Sequence, residues 1–421
     1  MASTRKRKNN RKSAGRVPAQ LKHWMGVVDP FKEFAVGLGD WGNFNWKTML
    51  LSVENQEHPD ICVARNQILY PTDSQWLQYQ TTYRAMPAQF KNTQMFQYHS
   101  RTDKKWHNVI AGDAAVHFGS PKTMTGNAKY TYDYWGVVAM SQLLTLFPKG
   151  VYEDDSKTPK KIVLGVGFPV GAAGSLDVMQ RTILGKHYVK TFDGQKIVFD
   201  VVEVLPWVEQ TGSIVHFLSN AALQYNAHEL DEGDVILVVD MGGGETSLTQ
   251  VLVQRDAHDL IELMPVYDQD SSPTFDSGIN NCADRLRQDL RINHPDFATA
   301  KVNKISYRVL MSALRDRRIK IQGEPVDIPN EVNRAIYQEM DAIASLYNNN
   351  LNSGNGISLV LITAGGGDTL YDDIADKDCI NHRNIAPAGI KGSLVFSNIK
   401  GAETIMDGWV QRKMDEVARY G

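Results

Sequence analysis

Cysteine is scarce in this chain. Cys62, Cys282 and Cys379 are the only three among 421 residues, an odd number at wide separation, which excludes a disulfide framework and shows no metal-ligand spacing. The 11 histidines form no H-x-x-x-H pair, so zinc has no visible ligand set. Long hydrophobic runs are missing as well: none approaches the roughly 20 residues of a membrane span, and the N-terminus lacks the apolar core of a signal peptide. A reducing, cytoplasmic location without a transmembrane segment is the expectation. Nor is there a G-x-x-x-x-G-K-[ST] phosphate loop or a G-x-S-x-G nucleophile elbow, which removes P-loop NTPases and α/β-hydrolases from consideration. Net charge is small, −3, so the body as a whole offers no strong field for a polyanion.

What the chain does contain is one pattern written twice. VGLGDWGNFNWK runs from Val36 to Lys47, and VILVVDMGGGETSLTQV from Val235 to Val251, about 200 residues later. Each takes a short apolar strand into an aspartate, turns on glycine and leaves through a second strand, and such a repeat marks a duplicated architecture. Backbone approaches a ligand closely where side chains are small, and successive N–H groups in such a turn form an anion-binding nest. Two facing hairpins of this kind clamp a polyphosphate. The aspartates then sit beside phosphate, a repulsive arrangement unless a cation lies between them, which implies Mg²⁺ held mainly through water. One such hairpin alone is ordinary β-structure; the pair carries the signal.

The N-terminus differs from the rest. Arg5, Lys6, Arg7, Lys8, Arg11, Lys12 and Arg16 crowd together without an acidic residue, so residues 1–34 are expected as a disordered basic arm. Either it is a solubilising tail or it binds DNA, a DNA adaptor or an anionic surface by counterion release. From Ala35 onward β-branched runs alternate with helical periodicity, the pattern of α/β layers. Lys161 to Phe168, Lys196 to Leu205, Asp234 to Met241 and Ile357 to Gly366 read as interior strands, and Thr131 to Leu146, Gly212 to Tyr225, Ser277 to Leu290 and Asn330 to Asn350 as helices. Arg285 and Arg287 lie off the apolar stripe of the third helix and are expected to face solvent.

A third glycine cluster, Gly365, Gly366 and Gly367, follows an apolar strand, with Leu370 and Tyr371 placed to cover a flat base. Glycines at the C-terminal end of a buried strand put a ligand at the crevice of the sheet. Taken in order, Asp40-x-Gly42-x-x-x-x-Lys47, Asp240-x-Gly242-Gly243-Gly244-x-Thr246 and Gly365-Gly366-Gly367 resemble the first phosphate, second phosphate and adenosine motifs of the actin, sugar-kinase and heat-shock-chaperone ATPase superfamily. GFPV at Gly167 and VLPWVEQTGS at Val204 resemble its first connecting region, and FSNIKGAETI at Phe396 its second. Within the superfamily the chain is most similar to prokaryotic actin-like proteins, the ParM-type plasmid-segregation filaments and archaeal actin-like ATPases.

That resemblance implies an α/β, ribonuclease H-like, duplicated two-domain fold around a nucleotide cleft, with residues 35–212 plus 400–421 as the first domain and 213–399 as the second. It also implies roles. Asp40 and Asp240 hold hydrated Mg²⁺, and Lys47 reaches the β- and γ-phosphates of ATP or GTP. Backbone N–H groups of Gly42, Asn43, Phe44, Gly242, Gly243 and Gly244 cradle the phosphates with the Thr246 hydroxyl nearby, while Gly365 to Gly367, Leu370 and Tyr371 serve the nucleoside. Glu209 stands where chaperones carry a glutamate and actins a glutamine, and orients the attacking water; Gln210 is its substitute. Ser247 departs from the aspartate common in relatives. The implied function is a nucleotide-hydrolysing protein that polymerises with itself, for DNA segregation or intracellular positioning. A non-polymerising scaffold and a small-molecule kinase are the rivals. A chaperone is disfavoured, because only about 20 residues follow the second connecting motif and independent domains start near 50.

Overall fold

The computed structural model describes residues 21–42, 45–51, 61–84, 95–118, 132–153, 157–220, 230–256, 261–268, 270–294, 305–321, 323–352 and 356–420. Two sheets organise them. The first is built from β1 (Ala35–Trp41), β2 (Asn45–Leu50), β3 (Ile61–Arg65), β4 (Ile68–Leu69), β5 (Met95–His99), β6 (Trp106–Ala111), β7 (Lys161–Phe168), β8 (Gly185–Thr191) and β9 (Lys196–Val208). Their order is β3-β2-β1-β7-β9-β8-β5-β6-β4. At the centre β1, β7 and β9 run parallel, which buries both faces and explains why the sequence there is apolar without alternation. Every residue of β7 after Lys161 is buried.

Helices Tyr132–Leu146 and Leu176–Ile183 pack on one face of this sheet, where Ile162, Leu164 and Val166 of β7 meet Val137, Met140 and Leu144. On the other face lies the helix Ser397–Ala418, with Met406 and Val410 against Val36, Leu38 and Val163. The chain's entry segment shares that face. Trp24, fully buried, meets Phe34 edge-on at 4.8 Å and Trp409 at 5.4 Å, and its indole N–H donates to Glu203 at 2.8 Å. The arm expected over residues 1–34 is therefore corrected at its inner end: Leu21, Trp24 and Phe34 are buried, because the charge block stops at Arg16 and these apolar side chains gain by leaving water. Residues 1–20 lie outside the described residues.

The second sheet contains β10 (Val235–Met241), β11 (Thr246–Arg255), β12 (Ile261–Pro265), β13 (Thr274–Phe275), β16 (Ile357–Thr363) and β17 (Ile385–Pro387), and a separate hairpin pairs β14 (Arg318–Ile321) with β15 (Glu324–Asp327). Its order is β12-β11-β10-β16-β17, with β13 against β11. Helices Ile279–Asn293, Tyr307–Asp316 and Pro329–Asn352 cover one face, through residues such as Leu286, Leu314 and Ile343. Ile214 and Phe217 of the helix Glu209–Ser219 pack on the other, against Ile236, Val238 and Leu359. Arg285 does not face solvent as expected: it pairs with the buried Glu339 and donates to the Ala335 carbonyl at 2.8 Å. The periodicity marks the apolar stripe, and a neighbouring helix supplies the carboxylate. Among the described residues no helix is long and apolar enough to cross a membrane.

Where the two layers meet, helix Glu209–Ser219 crosses helix Ser397–Ala418 at Gly212 and Gly401. A Cβ on Gly401 would lie 1.7 Å from the Gly212 carbonyl oxygen, so only glycine permits this approach. Beside the crossing, Ser213 Oγ contacts Thr363 Oγ1 at 2.8 Å and donates to Asn398 Oδ1.

Candidate functional site

Both aspartate hairpins form as the sequence suggests. β1 pairs antiparallel with β2 and β10 with β11, each turning at the glycines, and each sheet brings its hairpin tip to the same cleft. The cavity there measures about 250 Å³. Asp40, Gly42 and Lys47 line it from the first sheet; Asp240, Gly242, Gly243 and Gly244 line it from the second, with Glu209, Gly365 and Gly366.

Charge dominates its chemistry. Asp40, Glu209, Asp240 and Glu245 face the cavity, and Lys47 is the one cation among its described lining residues. Lys47 Nζ lies 2.5 Å from Asp40 Oδ2, both side chains buried. Burial pulls the Lys47 pKa down, but Asp40, then Glu209 and Asp240, outweigh it and hold the ammonium charged above its ordinary range. Asp240 goes the other way. Burial, with the Asp40 charge adding to it, pushes its carboxyl up to about 6 against the pull of Lys47 and of two amides. Those amides are Gln210 Nε2, 3.2 Å from Asp240 Oδ2, and Asn398 Nδ2 at 3.4 Å. Gln210 also donates to Ser247 Oγ at 3.3 Å. Glu209 opens its helix with its stem against Gly167, where a Cβ would stand 3.1 Å from Glu209 Cγ.

Several expected residues are not brought to the cavity, or reach it with their expected groups already engaged. Thr246 is fully buried and its hydroxyl donates to the Ser277 carbonyl at 2.8 Å; strand alternation turns Ser247 to the cleft in its place. The Gly242 N–H is already engaged, donating to the Glu245 carbonyl at 2.9 Å. The strand expected from Ile357 to Gly366 ends at Thr363, and the third glycine cluster lies in the short helix Ala364–Thr369. That winding packs Gly367 on Ile362 and sends Leu370 into the core, so Leu370 covers no base. Tyr371 lines a second cavity of about 740 Å³, with Lys391 4.0 Å above its ring, and the two cavities share Thr369. Asn43 and Phe44 lie outside the described residues. Asn45, Asn280, Met311 and Asn398 also line the first cavity; of these only Asn398 stands inside a connecting motif.

No protein-family model matches the chain, and no curated protein does. Solved structures do. The actin-like protein Alp7A superposes with a TM-score of 0.64 at 15% identity, covering 90% of this chain and 98% of that one. An archaeal actin homolog gives 0.58 at 13% identity over 89% and 99%, and a 15-stranded ParM filament from Clostridium botulinum 0.58 at 17% over 89% and 99%.

The chain has the actin-like fold.

In the actin-like fold of this chain the site arises by duplication: one hairpin per sheet supplies an aspartate, and the Gly212–Gly401 crossing joins the sheets behind them. Among the described residues no group of three or more His, Cys, Asp or Glu converges as a metal site. A divalent cation here would accordingly draw on two carboxylates and take its remaining oxygens from water and ligand.

Proposed function

We propose that this protein binds Mg-ATP or Mg-GTP between two lobes, hydrolyses it, and assembles with itself into nucleotide-dependent filaments in the cytoplasm, serving DNA segregation or intracellular positioning. The lobes in this reading are residues 35–212 with 400–421, and 213–399. The observation that carries it is the convergence of both aspartate hairpins, Lys47, Glu209 and the glycine helix on one cavity. Solved structures of the same fold add support: an archaeal actin homolog in complex with ADP, a Bacillus thuringiensis ParM with ATP, and the ParM filament.

Magnesium fits the residues present. Four carboxylates face one ammonium in a largely buried cleft, and a triphosphate entering it needs added positive charge. Asp40 and Asp240 would hold the ion, which when bound neutralises charge on the phosphates and steadies their geometry. Lys47, kept charged by Asp40, serves as a fixed point charge for phosphate oxygens. Glu209, at the cavity wall on the first turn of its helix, orients a water toward the terminal phosphate; phosphoryl transfer asks for positioning more than covalent help. Closure engages both hairpins at once, so the bound nucleotide favours the closed lobes.

Calorimetry with ATP, GTP and non-hydrolysable analogues at millimolar Mg²⁺, beside light scattering of the same samples, tests this. Binding of at least one nucleotide and nucleotide-dependent scattering with a critical concentration are expected. Asp40→Ala should abolish binding, whereas Glu209→Ala should bind within about threefold of wild type, turn over at least tenfold more slowly and stabilise filaments. No binding of any nucleotide, or equal affinity losses in the two variants, refutes the assignment.

A further inference from the structure

Away from the cleft, β5, β6 and β8 present a face that the proposed function leaves unexplained. Phe96, Tyr98, Val189, Ile197 and Phe199 point into the core beneath the helix Tyr132–Leu146. Strand alternation therefore turns Gln97, His99, Trp106, Tyr188, Lys190 and Lys196 to the opposite side, where register sets His99 beside Trp106 and Lys190 beside both Gln97 and Lys196. Trp106 is 38% and Tyr188 46% exposed. The aromatic rings form one group: His99 stands edge-on to Trp106 at 5.2 Å and to Tyr188 at 6.3 Å, and Lys190 Nζ sits 4.1 Å from the Trp106 ring centre.

The charge around these rings is mainly positive. Lys186 and Lys196 are exposed on the face, and Lys104 and Lys105 on the β5–β6 turn. The acidic neighbours are Asp200, opposite Lys186 in register, Asp193 on the β8–β9 turn, where it accepts from the Thr191 hydroxyl, and Asp103, which pairs with His107 at 2.8 Å. Trp24 packs on this same side of the sheet, in the cluster with the helix Ser397–Ala418. The described chain thus begins on the side of the sheet that carries the rings, and residues 1–20 before it hold seven of the chain's cations, Arg5 to Arg16 among them. An anionic polymer complements both sets of cations in charge.

We infer that the open face of β5, β6 and β8 binds single-stranded nucleic acid, with Trp106 and Tyr188 stacking on bases and Lys186, Lys190 and Lys196 meeting the backbone. Aromatics interleaved with lysines on an antiparallel sheet suit unpaired bases, whose faces are free, better than a duplex or a lipid headgroup. This face acts independently of the cleft.

The test is fluorescence anisotropy of a labelled 20-nucleotide oligo-dT with the full-length, nucleotide-free protein at two salt concentrations. The double variant Trp106→Ala/Tyr188→Ala is expected to lose tenfold or more in affinity with its salt slope unchanged, since stacking releases no counterions. Trp106→Phe/Tyr188→Phe, which retains the rings, should stay within about threefold of wild type. Lys190→Gln/Lys196→Gln should flatten the slope of log affinity against log salt by about 1.4, near 0.7 per lost contact on a single strand. Unchanged thermal unfolding and unchanged Mg-ATP calorimetry show that each variant is folded with its cleft intact. No oligo-dT binding at low salt, or the same affinity for wild type and the alanine double variant, overturns the proposal. So does loss of binding to phosphatidylserine vesicles, or of nucleotide-dependent pelleting, with oligo-dT affinity untouched: the face is then a lipid surface or a contact between copies.

Discussion

The two aspartate hairpins share a register and differ in how their charge is met. Asp40 stands opposite Lys47 across β1 and β2, and Asp240 opposite Ser247 across β10 and β11; Trp41 faces Trp46 where Met241 faces Thr246. In the first hairpin the carboxylate has its counter-ion across the same hairpin, 2.5 Å away, one step along the ladder from the buried Trp41–Trp46 pair. In the second there is no cation across the strand, and Asp240 relies on amides from the two crossing helices, Gln210 and Asn398. One copy of the duplicated unit has become a self-neutralised anchor. The other keeps a charge deficit, visible in a carboxyl raised to about 6 by burial and by Asp40, and its state is felt by the helices that join the lobes.

Removing the anchor's cation should have the largest effect. Lys47→Met keeps the stem but leaves the carboxylates of the cavity without an ammonium, and breaking a buried pair from one side costs about 3–5 kcal/mol. Urea unfolding of the ligand-free protein should show a loss of that order, and nucleotide binding should disappear with it. A loss below about 1 kcal/mol would mean that the Asp40–Lys47 pair does not organise this end of the cleft.

The corresponding change in the second hairpin should have the opposite sign. Because the folded pKa of Asp240, about 6, lies above its ordinary 3.8, ionising it works against the fold: stability is full below 3.8 and is lost as pH rises through 6. Asp240→Asn carries no such penalty. In chelator, with no nucleotide, the variant should exceed wild type at pH 7.5 by up to about 2–3 kcal/mol, roughly two pKa units at 1.4 each, and the advantage should vanish near pH 4. Urea melts across that range decide it. A variant less stable than wild type at pH 7.5 would place the deficit elsewhere.

The contrast between hairpins also separates what the sequence makes legible from what it hides. Asp40, Lys47, Asp240 and the glycine turns are local: strand, acid and turn lie within a dozen residues, so pattern alone places them, and the uninterrupted apolar run of Lys161–Phe168 gives β7 its full length. Glu209 is legible only through its neighbours in the connecting motif. Parity distinguishes Thr246 from Ser247, since the residue opposite Asp240 in an antiparallel pair shares its face, but that requires the register to be known. The winding of Ala364–Thr369 into a helix, which buries Leu370, is hidden because the apolar run from Ile357 reads as strand through Gly366 and glycine is a poor helix former. Gln210 and Asn398 reach Asp240 because two helices cross at Gly212 and Gly401, a contact between segments nearly 190 positions apart that no local pattern encodes.

The smallest expected change is also the sharpest test of the asymmetry. Ser247→Lys places an ammonium opposite Asp240, as Lys47 stands opposite Asp40, with the cavity of about 250 Å³ to receive it. Desolvation and attraction nearly cancel for such a pair, so stability should stay within about 1 kcal/mol of wild type. What should move is the dependence on Mg²⁺. If the deficit at Asp240 is what a divalent cation fills, a built-in ammonium substitutes for part of that charge, and nucleotide affinity measured from micromolar to millimolar Mg²⁺ should rise less steeply than in wild type. The new side chain also takes space, so affinity at saturating Mg²⁺ should fall somewhat; the slope is the quantity that decides. An unchanged Mg²⁺ dependence, with the variant folded and binding, would show that the second aspartate's lack of a partner is a packing accident and that the two hairpins do the same work.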